Sequence, residues 1–191
     1  RLYLRSRNYA FRVLNQNEEF KEAADGSLED YTMALENFEK EDVPALYWGV
    51  TSWLSWMRVS KDSGLEVMVD FPKIEAMMDR MVVLDETFNY GAVHALMGAY
   101  YSSMPDSFGG NSEQAAFHFN EAFEISESKY LLWYVFYAQY YAFAVHDKQL
   151  YVDSLQKVIS APEDILPDEI FPNLLAKQMA EKLLKETDIR F

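Results

Sequence analysis

Apolar residues recur at three- and four-residue intervals along nearly the whole chain, and no run keeps the two-residue alternation of a strand for long enough to predict a sheet. The pattern predicts an all-α protein. A first helix is expected from about Leu2 to Lys21, and a second from a Ser27 cap to Phe38, with Glu29 and Asp30 where carboxylates complement the positive end of a helix dipole. Asp42 and Pro44 start a third, which carries Tyr47, Trp48, Trp53 and Trp56 and ends before Ser63-Gly64. Pro72 opens a fourth, reaching about Leu84; Asp85-Glu86 and Tyr90-Gly91 lead into a fifth that ends near Met104-Pro105. Asp106 to Gly110 is a predicted loop, and Asn111 with Gln114 resembles a capping box for a helix to about Ser126. Further helices are expected over Lys129–Val145, Lys148–Ile159 and, after Pro167, Glu169–Lys185. No flexible linker divides the pattern, so one domain spanning 1–191 is expected.

Small residues and rings are placed in a way that sharpens this picture. Gly91, Ala92, Ala95, Gly98 and Ala99 permit close helix approach, and Met97-Gly98, Tyr101, Ala115, Phe119 and Ala122 form a skeleton that resembles the interlocked helix pair of a tetratricopeptide repeat. The expected architecture is an antiparallel helical-hairpin array, a tetratricopeptide-repeat-like α–α superhelix. The step from Gly98 to Ala115 is about five residues longer than in a standard repeat, as though a functional loop holding Gly109-Gly110 had been inserted. Immediately afterwards Tyr130, Trp133, Tyr134, Phe136, Tyr137, Tyr140, Tyr141 and Phe143 put rings on every side of one helix. Rings at helical spacing usually fill a core, a reading that covers Phe88, Phe119, Phe123 and Phe136. A buried phenol must also find a hydrogen-bond partner, so the five tyrosines of this stretch suit either core packing or the wall of a half-wet pocket.

Composition narrows the chemistry. The 191 residues include 17 Lys and Arg against 31 Asp and Glu, a formal charge of −14 that repels phosphate backbones and anionic lipid surfaces, so no nucleic-acid partner is expected. There is no cysteine, which removes disulfides and thiol catalysis without fixing a compartment. No stretch approaches the roughly 20 apolar residues that span a bilayer. The chain begins at Arg1 inside a helical pattern, from which an N-terminal leader or tether, absent from this sequence, is expected.

Signatures of catalysis are missing: there is no His-Glu-x-x-His, Gly-x-Ser-x-Gly, phosphate-binding loop or Glu-x-x-His. His118 could share a helical face with Glu121 in part of a metal site, but an exposed or capped His118 is the simpler expectation, with His94 filling a helix-packing slot. Asp85-Glu86 point about 100° apart and are expected to be solvated at a helix end rather than to act as an acid/base pair. Gly109-Gly110 is expected to supply a tight turn before it serves as an anion cradle. No enzyme activity, cofactor or metal is expected.

Taken together, Tyr47-Trp48, Asp85-Glu86 with Tyr90-Gly91, the Gly98-to-Pro105 segment, Gly109-Gly110 before Ala115, His118-Phe119, Ala122, and Asn173 with Ala176 and Ala180 make the chain resemble the T component of TRAP transporters. That family consists of periplasmic lipoproteins with cryptic tetratricopeptide repeats. The resemblance implies a non-enzymatic accessory protein that forms a homotrimer, carries a pore-like cavity in each protomer and pairs with the solute-binding (P) subunit. It also implies a lipid anchor, for which this chain offers no cysteine. On this reading Trp48, Tyr90, Tyr101, Trp133, Tyr137 and Tyr141 line the cavity and hold a small organic or hydrophobic ligand, and Gly109 and Gly110 form a partner or loop motif. Two other readings stand beside it. One is a protein-interaction scaffold without a ligand, steered by acidic segments such as Glu36 to Asp42; the other is a hydrolase built on His118 and a nearby carboxylate.

Overall fold

The computed structural model describes residues 2–59 and 70–191. It is all-α, with no strand among the described residues, and its contacts group into two compact units, 1–88 and 89–191. The predicted end of the third helix at Ser63-Gly64 lies outside the described residues.

Unit 1 is built from α1 (Leu2–Leu14), α2 (Glu18–Ala23), α3 (Leu28–Leu35), α4 (Val43–Val59) and α5 (Phe71–Asp85). The single helix expected from Leu2 to Lys21 is in fact two. Asn17 interrupts it, accepting from the Phe20 amide at 3.0 Å as the N-cap of α2, while Glu18 and Glu19 occupy the first turn. Short polar side chains that bond their own backbone compete with helix continuation in this way. The Ser27 cap of α3 and the Pro72 opening of α5 stand where the sequence put them. α1 packs along α4, and α5 packs on α3 and α4. The core between them holds Phe20, Tyr31, Leu35, Leu46, Val50, Ile74 and the methionines Met77, Met78 and Met81. Phe20 sits 5.0 Å from the rings of both Tyr31 and Phe38. The Tyr31 hydroxyl is satisfied by donating to Met77 Sδ at 3.1 Å. At the end of α5, Asp85 forms an ion pair with Lys40 at 3.0 Å and accepts from Thr87 Oγ1 at 2.7 Å; these partners, Thr87 foremost, hold its carboxyl below the usual range. Asp85 is therefore paired rather than simply solvated.

Unit 2 comprises α6 (Phe88–Ser103, whose first residue belongs to unit 1), α7 (Ser112–Ile125), α8 (Leu132–Phe136), a π-helical segment (Tyr137–Ala142), α9 (Lys148–Ser160), α10 (Ile170–Lys185) and α11 (Thr187–Arg190). α6 and α7 run antiparallel. Gly98 faces the Phe119 ring, where an added Cβ would lie 2.6 Å from Phe119 Cδ2, and Gly91 faces Ala122 and Ile125. Ala115, Phe119 and Ala122 are fully buried. The connecting loop is pinned by Asn111, whose amide donates to the Tyr101 carbonyl while its side chain caps Glu113 and Gln114. α8, the π segment, α9 and α10 enclose a second core of Leu131, Val135, Ala138, Ala142, Tyr151, Leu155, Val158, Ala176 and Ala180.

Candidate functional site

Unit 2 begins with a left-handed turn. Asn89, Tyr90 and Gly91 have φ of 46°, 61° and 78°, a conformation that L residues rarely hold three in a row and that costs roughly 1 kcal/mol or more for each non-glycine. Gly91 fits it without penalty and also lets Ala122 approach. The other two residues are held by tertiary contacts. The Trp133 indole N–H donates to the Tyr90 carbonyl at 2.7 Å, the Tyr90 ring stacks on Tyr130 at 5.1 Å, and Tyr130 meets Trp133 at 4.7 Å. Burial pushes the Tyr130 phenol up, with the charge of Glu169 and the Tyr90 phenol adding and a hydrogen bond with the Asn89 side chain opposing.

A second stack runs along α7, α8 and the π segment. Phe123 lies parallel to Tyr134 at 4.1 Å, stands edge-on to Tyr137 at 5.4 Å, and Tyr137 stacks on Tyr141 at 5.0 Å. π-helical turns recur at functional sites because they widen a helix locally and re-aim its side chains. Here the turn covers the half-buried Tyr137 and Tyr141, and burial raises the Tyr137 phenol, with Tyr141 adding. Tyr134 is satisfied at both ends of its hydroxyl. It donates to Ser128 Oγ at 2.9 Å and accepts from Lys157 Nζ at 2.6 Å, while that ammonium also sits over its ring at 4.1 Å. Another pair of left-handed residues, Glu127 and Ser128, precedes this layer. Buried Asn173 secures it by accepting from the Leu131 amide at 2.8 Å and donating to the Lys129 carbonyl at 3.0 Å.

His118 departs from expectation. It is buried rather than exposed, and its Nδ1 lies 2.9 Å from His94 Nδ1 between α6 and α7, with the Tyr101 ring stacked on it at 5.6 Å. One imidazole must donate a single proton to the other. Burial, and then the neighbouring His94, lower His118 to about 4. Among the described residues no group of three His, Asp, Glu or Cys side chains is placed to hold a metal ion.

Of the six rings expected to line a cavity, five belong to unit 2. Tyr90, Tyr101, Tyr137 and Tyr141 are half-buried, while Trp133 is 2% exposed. Trp48 belongs to unit 1, is 57% exposed and meets Tyr47 edge-on at 5.5 Å. Gly109 is left-handed and open around its Cα, whereas a Cβ on Gly110 would lie 1.9 Å from the Met104 carbonyl oxygen. Their amides donate to the Asp106 and Pro105 carbonyls. Those bonds occupy the donors that an anion would need.

Sequence reasoning missed one feature of unit 1. A concavity of about 430 Å³ is lined by Arg7, Asn8, Phe11, Asn15, Ala24, Asp25, Tyr31, Trp53, Asp70 and Lys73. The Arg7 guanidinium lies over Trp53 at 4.4 Å and Phe11 at 5.2 Å. Burial lowers the Arg7 pKa and the field of Asp70 opposes that shift. Trp53 Nε1 and Asn15 Oδ1 are buried without a hydrogen-bond partner. The residues come from five separate segments, so no local motif announces them.

The geometry defines a helical protein that presents stacked rings. A profile of the TRAP transporter T-component family matches residues 1–191, and the chain belongs to that family. No curated protein matches it. Membership gives the chain an accessory role in TRAP transport. Among the described residues no helix is long and apolar enough to cross a membrane.

Proposed function

We propose that this T component is a non-enzymatic periplasmic module, spanning residues 1–191, which holds a small organic or hydrophobic solute against its aromatic side chains and pairs with the solute-binding (P) subunit of the transporter. The observation that carries the reading is the layer of stacked rings in unit 2. Tyr137 and Tyr141 are aligned by a π-helical turn yet remain half-buried, a state that a dry core would not require. Tyr90 and Tyr101 extend the same chemistry, and Trp133 acts from behind by fixing the Tyr90 turn. Trp48 offers a separate exposed ring on unit 1. Pairing with a protein is supported by α10, where Ile170, Phe171, Leu174 and Leu175 are all exposed, with Phe171 at 78%. Assembly as a homotrimer and attachment through an N-terminal lipid complete the proposal.

Native mass spectrometry of the purified chain, under gentle and then denaturing conditions, tests it. A trimer that releases a small organic molecule on denaturation is the expected result. A monomer with no bound molecule would favour the alternative, a protein-interaction scaffold with no ligand.

A further inference from the structure

We propose that the unit 1 concavity beneath Arg7 is a binding site for a small aromatic carboxylate that carries a hydroxyl or amino donor on the carbon next to its acid group. The inference deepens the function proposed above by naming a solute class and a place for it, and rests on that reading for the occupant being a small solute.

The argument begins with charge. In a chain of −14, the concavity brings together two cations, Arg7 and Lys73, with Asp25 and Asp70 at its border. Lys73 is already committed, donating to the Ala24 carbonyl at 2.8 Å and lying over the Tyr31 ring at 5.2 Å. Arg7 is different. Its guanidinium carbon lies over the Trp53 and Phe11 rings, and among the described residues no carboxylate forms an ion pair with it. A guanidinium held over ring faces and free of an ion pair can offer its N–H fork to a bidentate carboxylate, the pairing for which that geometry is suited.

The neighbouring polar atoms then specify what lies beside the acid. Trp53 Nε1 is a donor and Asn15 Oδ1 an acceptor, and both are buried without a hydrogen-bond partner. Buried polar groups in native proteins are nearly always satisfied, so a donor and an acceptor left over at one concavity point to an occupant that supplies both. An α-hydroxy or α-amino acid does so. Asp25 and Asp70 add acceptors that would favour the amine. Half-buried Phe11 provides an apolar wall for a ring, and about 430 Å³ falls within the range of roughly 300–1,000 Å³ that small-molecule sites occupy.

The test is a titration of the full chain alone, free of any partner, followed through the indole N–H resonance of Trp53 assigned by triple-resonance spectroscopy. Phenyllactate and phenylalanine are the probes; phenylpropionate, phenyllactamide and inorganic phosphate are the controls. At least one probe is expected to shift the Trp53 resonance saturably, with phenylpropionate and the amide at least tenfold weaker. Arg7→Gln should weaken the probe at least tenfold and Arg7→Lys less. Should Arg7→Gln fail to fold, Asn15→Leu serves instead and should erase the preference for phenyllactate over phenylpropionate. The proposal is overturned if neither probe moves the resonance at about 10 mM, a concentration that would detect even millimolar affinity. It is equally overturned if Arg7→Gln binds as the parent does, or if phosphate or the amide matches the acids. Binding here without association with the P subunit would retain this site and remove the pairing proposed above.

Discussion

Trp133 donates its indole N–H to the carbonyl of Tyr90 across 2.7 Å, and so fastens α8 to the left-handed turn at the start of α6. The bond joins residues 43 positions apart. It holds a backbone conformation that Asn89 and Tyr90 would leave if released.

Trp133→Phe should therefore cost more than its change in volume. Losing the bond leaves the Tyr90 carbonyl without this donor, for a destabilisation of about 1–3 kcal/mol, and Trp133→Ala should cost about 3–5 kcal/mol. Chemical denaturation measures both. A loss for Trp133→Phe below about 0.5 kcal/mol, with the full loss kept for Trp133→Ala, would show that the ring volume, and not the bond, matters.

The two glycines of the α6–α7 loop should separate cleanly. Gly110→Ala places a Cβ 1.9 Å from a backbone oxygen, and the loop can relieve that only by moving. Gly109→Ala meets nothing and suffers only its φ of 96°, worth about 1 kcal/mol. Thermal unfolding should rank Gly110→Ala well below Gly109→Ala, with Gly98→Ala also destabilised, by about 1–3 kcal/mol, through its collision with Phe119.

Acid should loosen the helix pair of unit 2. The folded state holds His118 near 4, below the ordinary value of 6.5, so as pH falls through that window the unfolded chain takes up a proton that the folded chain refuses. Stability is unaffected above about pH 6.5 and declines towards pH 4, by on the order of 2 kcal/mol. Denaturation midpoints of the parent and of His118→Gln across this range provide the check; the variant should lose this component of the slope.

Asn173→Ala removes a buried hydrogen bond to Leu131 and a part-buried one to Lys129 that tie this segment to α10, so a loss of about 2–3 kcal/mol is expected. Hydrogen exchange should report it first at the Leu131 amide, whose partner is gone.

What could be read from the sequence was mostly local. Ser27, Asn111 and Pro72 announce helix starts because a cap or a first-turn proline acts within three residues. Gly98 and Phe119 were legible as a pair because small-and-large spacing carries the packing of two neighbouring helices. The break at Asn17 was hidden by a hydrophobic period that continues across it, although its cap and acidic first turn were present. The left-handed turn at Asn89 and Tyr90, the π segment, the His94–His118 pair and the Arg7 concavity depend on partners far along the chain, which periodicity does not encode. The candidate rings were named by type, and the structure distinguishes buried Trp133 from half-buried Tyr137 and exposed Trp48.

The most direct measurement is a titration of this chain with the solute-binding subunit of its transporter at physiological ionic strength, followed by calorimetry and by sedimentation. The account predicts a saturable complex with a Kd below about 100 μM, weakened at least tenfold when Phe171 and Leu175 are replaced by serine. Absence of heat and of co-sedimentation at subunit concentrations well above that value would contradict it.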